Sequence, residues 1–248
     1  MSHPQNMQAR YTVQQRLEQY GAGADKRWAP FFHGADVAYP GRELLWVVIK
    51  AELVVQVYAR NNDNEEWCFI RSYPVQAASG RLGPKLREGD LQVPEGIYKI
   101  QSLNPNSRYH LSLRINYPNG ADRRLGSEDG RENLGGDIMI HGRAMSMGCL
   151  AMGDEAAEDF FVLAGRGALP RITVLMCPVD FRRRELPPWF RRRTDLPSWV
   201  SERYADLSKA LGKVPLPFPD QDNTGRLEGQ LGSVVGGQAR FQEDQKRL

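Results

Sequence analysis

Two residues in this 248-residue chain have the types and spacing for nucleophilic chemistry. They lie in Ile138-Met139-Ile140-His141-Gly142-Arg143-Ala144-Met145-Ser146-Met147-Gly148-Cys149-Leu150-Ala151-Met152. A thiol attacks well only as a thiolate, so it needs a base or a cation beside it, and a neutral imidazole can take its proton. His141 ends a predicted strand and Cys149 begins the next segment. Gly142 and Gly148 let the loop between them fold back sharply, which would bring ring and sulfur within hydrogen-bond reach. Gly148 also lets the backbone approach a substrate closely, so amide N–H groups near Cys149 can face the oxyanion of a tetrahedral intermediate. A His–Gly turn followed eight residues later by a Cys also arises without any chemistry, so spacing alone leaves the reading open.

The other candidates are weaker. Cys68 and Cys177 sit in apolar, strand-like runs and read as small buried hydrophobes. Three cysteines leave at least one free thiol, so the chain is not a disulfide scaffold. His3, His33 and His110 are scattered, and no second Cys/His pair stands at ligand spacing, so no metal is expected. The glycine-rich stretches lack the Lys/Ser pattern of a phosphate loop.

The elements that must position the pair read as mainly β with some α. Leu44–Ile49 and Leu53–Tyr58 are β-branched and aromatic, separated by three residues, and predict a hairpin. Further strands are expected near Trp67–Tyr73, Ile97–Gln101, Tyr109–Ile115, Asp137–His141 and Arg171–Cys177. In Tyr109–Ile115, apolar and polar residues alternate as in a half-buried strand. Helices are expected at 8–20, Lys26–Phe32, Asp154–Leu163 and 198–211. Residues 116–136, rich in Gly, Asn, Asp and Arg, read as a long loop, which in a compact domain is usually functional or disordered.

The formal net charge of +3 is too weak to imply a nucleic-acid partner. The excess sits from Pro178 onward, where 13 basic face 10 acidic residues, including Arg182–Arg184 and Arg191–Arg193 around Trp189-Phe190. No apolar run approaches a membrane span. The polar start Met1–Met7 lacks a signal-peptide core, so cytoplasmic residence, a different export route or a removed signal are all consistent with it. The expected division is a helical N-terminal extension at 1–26, a catalytic domain at 27–178, and an Arg/Pro-rich extension at 179–248 whose end, from Asp220, is expected to be mobile.

The block Ile138–Gly142 with Ser146–Met152 closely resembles the active-site signature of the L,D-transpeptidase (YkuD-type) catalytic domain family, in particular its proteobacterial YafK-like branch. Other blocks of that branch are matched in order: Trp28–Phe32 with Tyr39-Pro40, Tyr73-Pro74, Ser79–Lys85 with Glu88–Asp90, Pro94–Tyr98, and Asn116–Asn119. The resemblance covers roughly residues 27–178. It implies a β-sandwich or barrel-like catalytic domain with peripheral helices. It further implies an enzyme of the Gram-negative periplasm or cell envelope that acts on peptidoglycan stem peptides without a cofactor. In such enzymes the cysteine attacks the L,D bond after the third stem residue and a thioester acyl-enzyme forms. An amine then resolves it as a crosslink, water as L,D-carboxypeptidase or endopeptidase cleavage, and a D-amino acid as exchange.

By position, Cys149 would be the nucleophile and His141 the base. The Gly142 carbonyl would orient the ring, and the Gly148 and Cys149 amides would form the oxyanion hole. Met147 and Ala151 depart from the broader family, which often has His before the Gly-Cys and Arg or Asn two residues after it. Ser146 either supports the His–Cys geometry or caps the turn. Tyr117, Asn119 and Met147 are candidates to line the cleft, and Lys85, Arg123 and Arg124 to hold stem carboxylates. Two other readings remain: a non-catalytic wall-binding module on the same fold, and an exported antibacterial effector with the same chemistry.

Overall fold

The computed structural model describes residues 10–167 and 169–217. The polar start and the Gly/Gln/Asp-rich end expected to be mobile lie outside the described residues.

Strands β1 (Glu43–Ile49) and β2 (Val54–Arg60) form the expected antiparallel hairpin, with Glu43 opposite Arg60 and Ile49 opposite Val54. β3 (Cys68–Pro74) pairs with β2. β1 lies parallel to the last strand, β9 (Ile172–Cys177). The apolar run of β1 is continuous because both its faces are covered. Trp46 and Val48 enter one core and Leu45, Val47 and Ile49 the other.

The 12-residue strand β5 (Gly96–Ser107) links two halves of one sheet. Its first residues pair with β9 and the rest with β6 (His110–Ile115). β6 then pairs with β7 (Met139–His141), β7 runs parallel to β8 (Leu150–Ala151), and β8 pairs with β4 (Ala77–Ala78). The full order is β3-β2-β1-β9-β5-β6-β7-β8-β4. Its two ends are consecutive in the chain. Between them, Val75 N–H donates to Leu53 O at 2.7 Å and Gln76 N–H to Ala151 O at 2.8 Å, so the short link bonds to both ends of the sheet.

Helix α1 (Val13–Gly34) is one continuous helix where the sequence suggested two short ones. Gly21 of α1 and Gly165 of the neighbouring helix α3 (Asp154–Arg166) sit where the two helices come close. A Cβ at Gly21 would stand 2.7 Å from Arg166 Nη2, and one at Gly165 2.6 Å from Leu17 Cδ2. Trp28 and Phe32 of α1 and Phe160 and Phe161 of α3 fill the first core with Leu111, Leu113 and Ile115. Trp28 Nε1 donates to Asp159 O at 3.0 Å, and Arg27 pairs with the buried Asp159 carboxylate at 2.7 Å.

The residues after β9 cover the opposite face. Phe190 of the short α4 (Pro188–Arg191), Trp199, and Tyr204, Leu207 and Leu211 of α5 (Val200–Leu211) pack on Leu45, Val47 and Leu175. The expected long loop at 116–136 contains a helix, α2 (Gly120–Glu128). It is set by a reciprocal cap: the Asn119 side chain accepts from Ala121 and Asp122 N–H, and Asp122 accepts from Asn119 N–H.

Candidate active site

The register of β7 and β8 sets the site. Ile140 lies opposite Leu150, and both face the first core. Side chains alternate along a strand, so Met139, His141 and Ala151 face the other way. Cys149, one residue ahead of β8, continues that alternation onto the face of His141.

The imidazole of His141 is buried, and its Nδ1 lies 2.6 Å from Gly142 O. A carbonyl only accepts, so Nδ1 carries the proton and Nε2 keeps its lone pair. Burial pushes the His141 pKa below its ordinary 6.5, against a smaller upward pull from the Gly142 hydrogen bond. The ring is therefore a neutral base at neutral pH. The Tyr109 ring lies over it, with centroids 4.6 Å apart and planes inclined at 32°. Gly142 has no room for a side chain: a Cβ would stand 2.6 Å from Asp154 Oδ1 and 2.7 Å from Tyr109 O.

The Cys149 thiol is partly buried and donates to Asp137 O at 3.6 Å. Burial raises its pKa above the ordinary 9.0, and the Asp137 carboxylate adds to that. The Met139 N–H and the Lys85 ammonium pull it down. Among the described residues no hydrogen bond joins the His141 ring to the thiol. The resting arrangement is a neutral imidazole and a protonated thiol on one face of adjacent strands.

The connecting loop is held at several points. Arg143 adopts φ 58° and its N–H donates to Asp154 Oδ1 at 2.8 Å. Ser146 Oγ donates to Cys149 O at 2.6 Å. Gly148 has φ 99°, a conformation that favours glycine. Its N–H donates to Ser79 Oγ at 2.5 Å, so this amide already has a partner. The Cys149 N–H has none among the described residues. Met145 and Met147 stand 69% and 75% exposed on either side of Ser146, an apolar rim beside the thiol.

Lys85 is buried and its Nζ is held by Asp90 Oδ1 at 2.7 Å and Arg87 O at 2.9 Å; it acts on Cys149 through its charge. Tyr117 is buried and donates to Leu134 O at 3.0 Å. Asn119 caps α2, Arg123 donates to Pro118 O, and Arg124 pairs with Glu128 on the exposed face of α2. The structure thus gathers Cys149, His141, Gly142, Ser146, Met147 and Gly148 in one loop. Tyr117, Asn119, Arg123 and Arg124 make their hydrogen bonds around α2 instead. The arginine runs are largely paired as well: Arg182 with Asp180, Arg184 with Glu52, Arg191 with Glu185 and Arg193 with Asp195. Tyr109, Ser79 and Asp154 enter the site without having been singled out as site residues. Tyr109 carried only a strand-alternation signal, and Ser79 stood in the block Ser79–Lys85 that resembles the family without being given a role. Among the described residues no group of three or more His, Cys, Asp or Glu side chains is placed to hold a metal ion, and no helix is long and apolar enough to cross a membrane.

Residues 42–179 match the model of the YkuD family, the L,D-transpeptidase catalytic domain, and the chain belongs to that family. It is 37% identical over 116 residues to proteins of Escherichia coli strain K12 and of Escherichia coli O157:H7, each named "Putative L,D-transpeptidase YafK". That match covers 46% of this chain, and the chain spans 44% of the length of those relatives. Among solved structures, the helical cell shape determining protein Pgp2 of Campylobacter jejuni is 21% identical, with a TM-score of 0.45, over 62% of this chain and 54% of that one. Bd1075 of Bdellovibrio bacteriovorus is also 21% identical, with a TM-score of 0.42, over 69% of this chain and 56% of that one.

Proposed function

We propose that this chain transfers acyl groups of peptidoglycan stem peptides through a thioester on Cys149, with His141 as the base. The observation that carries this reading is the juxtaposition on one sheet face of a neutral imidazole, its Nδ1 engaged by Gly142 O, with a partly exposed thiol whose own N–H has no partner among the described residues.

The thiol leaves the Asp137 carbonyl and gives its proton to His141 Nε2 as the sulfur attacks the stem carbonyl. A C–S bond forms, and the carbonyl oxygen takes the negative charge against the Cys149 N–H. Collapse breaks the C–N bond, and the leaving amine takes the proton back from the imidazolium. The resulting thioester is resolved by a stem amine, which yields a crosslink, and the same intermediate admits water. Such a substrate sets the place of action in the bacterial envelope, the periplasm.

The test is incubation with purified tetrapeptide muropeptides followed by product separation. New dimers are the expected result. Tripeptides alone would reassign the acceptor to water, and unchanged muropeptides with an intact thiol would overturn the reading.

A further inference from the structure

We infer that Ser79 is a positioning residue for the oxyanion donor: it withdraws the Gly148 amide from the site and leaves the Cys149 N–H to face the reacting oxygen. This rests on the acyl-transfer reading above.

The placement follows from the register. β4 and β8 are antiparallel, with Ala77 opposite Ala151 and Ala78 opposite Leu150. Ser79 follows directly after β4 and Cys149 directly precedes β8, so the two stand at the same end of this pair, and the Ser79 hydroxyl reaches the Gly148 amide. The hydroxyl is engaged in both directions. It accepts from Gly148 N–H at 2.5 Å and donates to Leu91 O at 2.8 Å. Leu91 itself has φ 56°, a conformation few side chains adopt, and is half exposed.

Two loops distant in sequence are therefore tied through one oxygen atom. The peptide preceding Gly148 is pinned with its N–H turned to Ser79. Gly148 has φ 99°, and the N–H of the residue after it, Cys149, has no acceptor among the described residues. An amide N–H left without a protein partner next to a nucleophile is what an oxyanion contact requires. Without the Ser79 oxygen, the Gly148 N–H would lose its partner and the peptides on both sides would be free to rotate.

The experiment uses the full chain and three proteins: wild type, Ser79→Ala and Ser79→Thr. Intact-protein mass follows acylation by a carbapenem, a reaction that passes through an oxyanion. Alkylation by iodoacetamide, a displacement at carbon that forms no oxyanion, is followed in parallel. The expected result is that Ser79→Ala slows acylation about tenfold or more, leaves alkylation within about twofold of wild type, and that Ser79→Thr restores most of the acylation rate. Wild-type acylation by Ser79→Ala overturns the assignment. So does an equal fall in alkylation, which would mean that the residue governs thiol access, and so does failure of Ser79→Thr to rescue a folded protein. A wild type that is alkylated but never acylated would instead overturn the acyl-transfer reading itself.

Discussion

The two halves of the sheet are built on different principles. β1 and β2 are seven residues long, β9 is six, and β1 is buried almost throughout on both faces. The strands that carry the chemistry are minimal: three residues in β7 and two each in β8 and β4. The first half is held by apolar area and ladder hydrogen bonds. The second is held by side-chain and backbone caps on the loops between strands: Asp154 on Arg143, Ser146 on Cys149, Ser79 on Gly148. A short strand lets the chain change direction next to the thiol, and the long strands supply the rigidity it lacks.

That contrast can be broken from either side. Cys149→Ala removes the proposed nucleophile and is expected to lower muropeptide turnover at least ~10⁴-fold while the melting temperature stays at the wild-type value; a comparable loss of stability would show that the site half also carries the fold. In the other half, Lys50 is buried, with its Nζ 2.8 Å from Glu95 Oε1 and 2.9 Å from Gly83 O and Val93 O. Lys50→Met leaves the Glu95 carboxylate without its cation and should cost about 3–5 kcal/mol in urea unfolding.

The pH profile sharpens the site half. The base must be neutral, and burial holds the His141 pKa below 6.5. The acid limb of kcat/KM is therefore expected below pH 6.5, falling about tenfold per unit beneath it; a limb above 6.5 would mean that the imidazole gains a stabilising anion. The smallest effect belongs to Arg124, whose pair with Glu128 is exposed on α2. Arg124→Ala should change stability by no more than about 0.5 kcal/mol and leave turnover of tetrapeptide muropeptides unchanged. A raised KM would restore it as a carboxylate contact.

The long strands were the legible part of the sequence. β1 and β2 announce themselves by β-branched runs, and β6 by alternation. α2 was hidden because Gly120–Glu128 has little apolar periodicity and is set by its Asn119–Asp122 cap. The helices expected at 8–20 and Lys26–Phe32 are one, α1, and Gly21 between them fits the close approach of α3. At the site, residue type and spacing left the His–Cys pair open, and it was the family resemblance of Ile138–Gly142 and Ser146–Met152 that singled it out. The binding of Lys85 by Asp90, and of Gly148 by Ser79, was not legible. Each joins residues through loop geometry that no periodicity encodes.

The position of β9 has one more consequence. The last strand among the described residues lies between β1 and β5, and Leu44 meets Ile172 across 128 positions of chain. Contacts of that separation form late. On the ribosome, the hairpin of β1 and β2 waits for its central neighbour until nearly all the catalytic region has emerged. The thiol at Cys149 is thus made before the frame around it, and a nascent or truncated chain carries the thiol without the folded site.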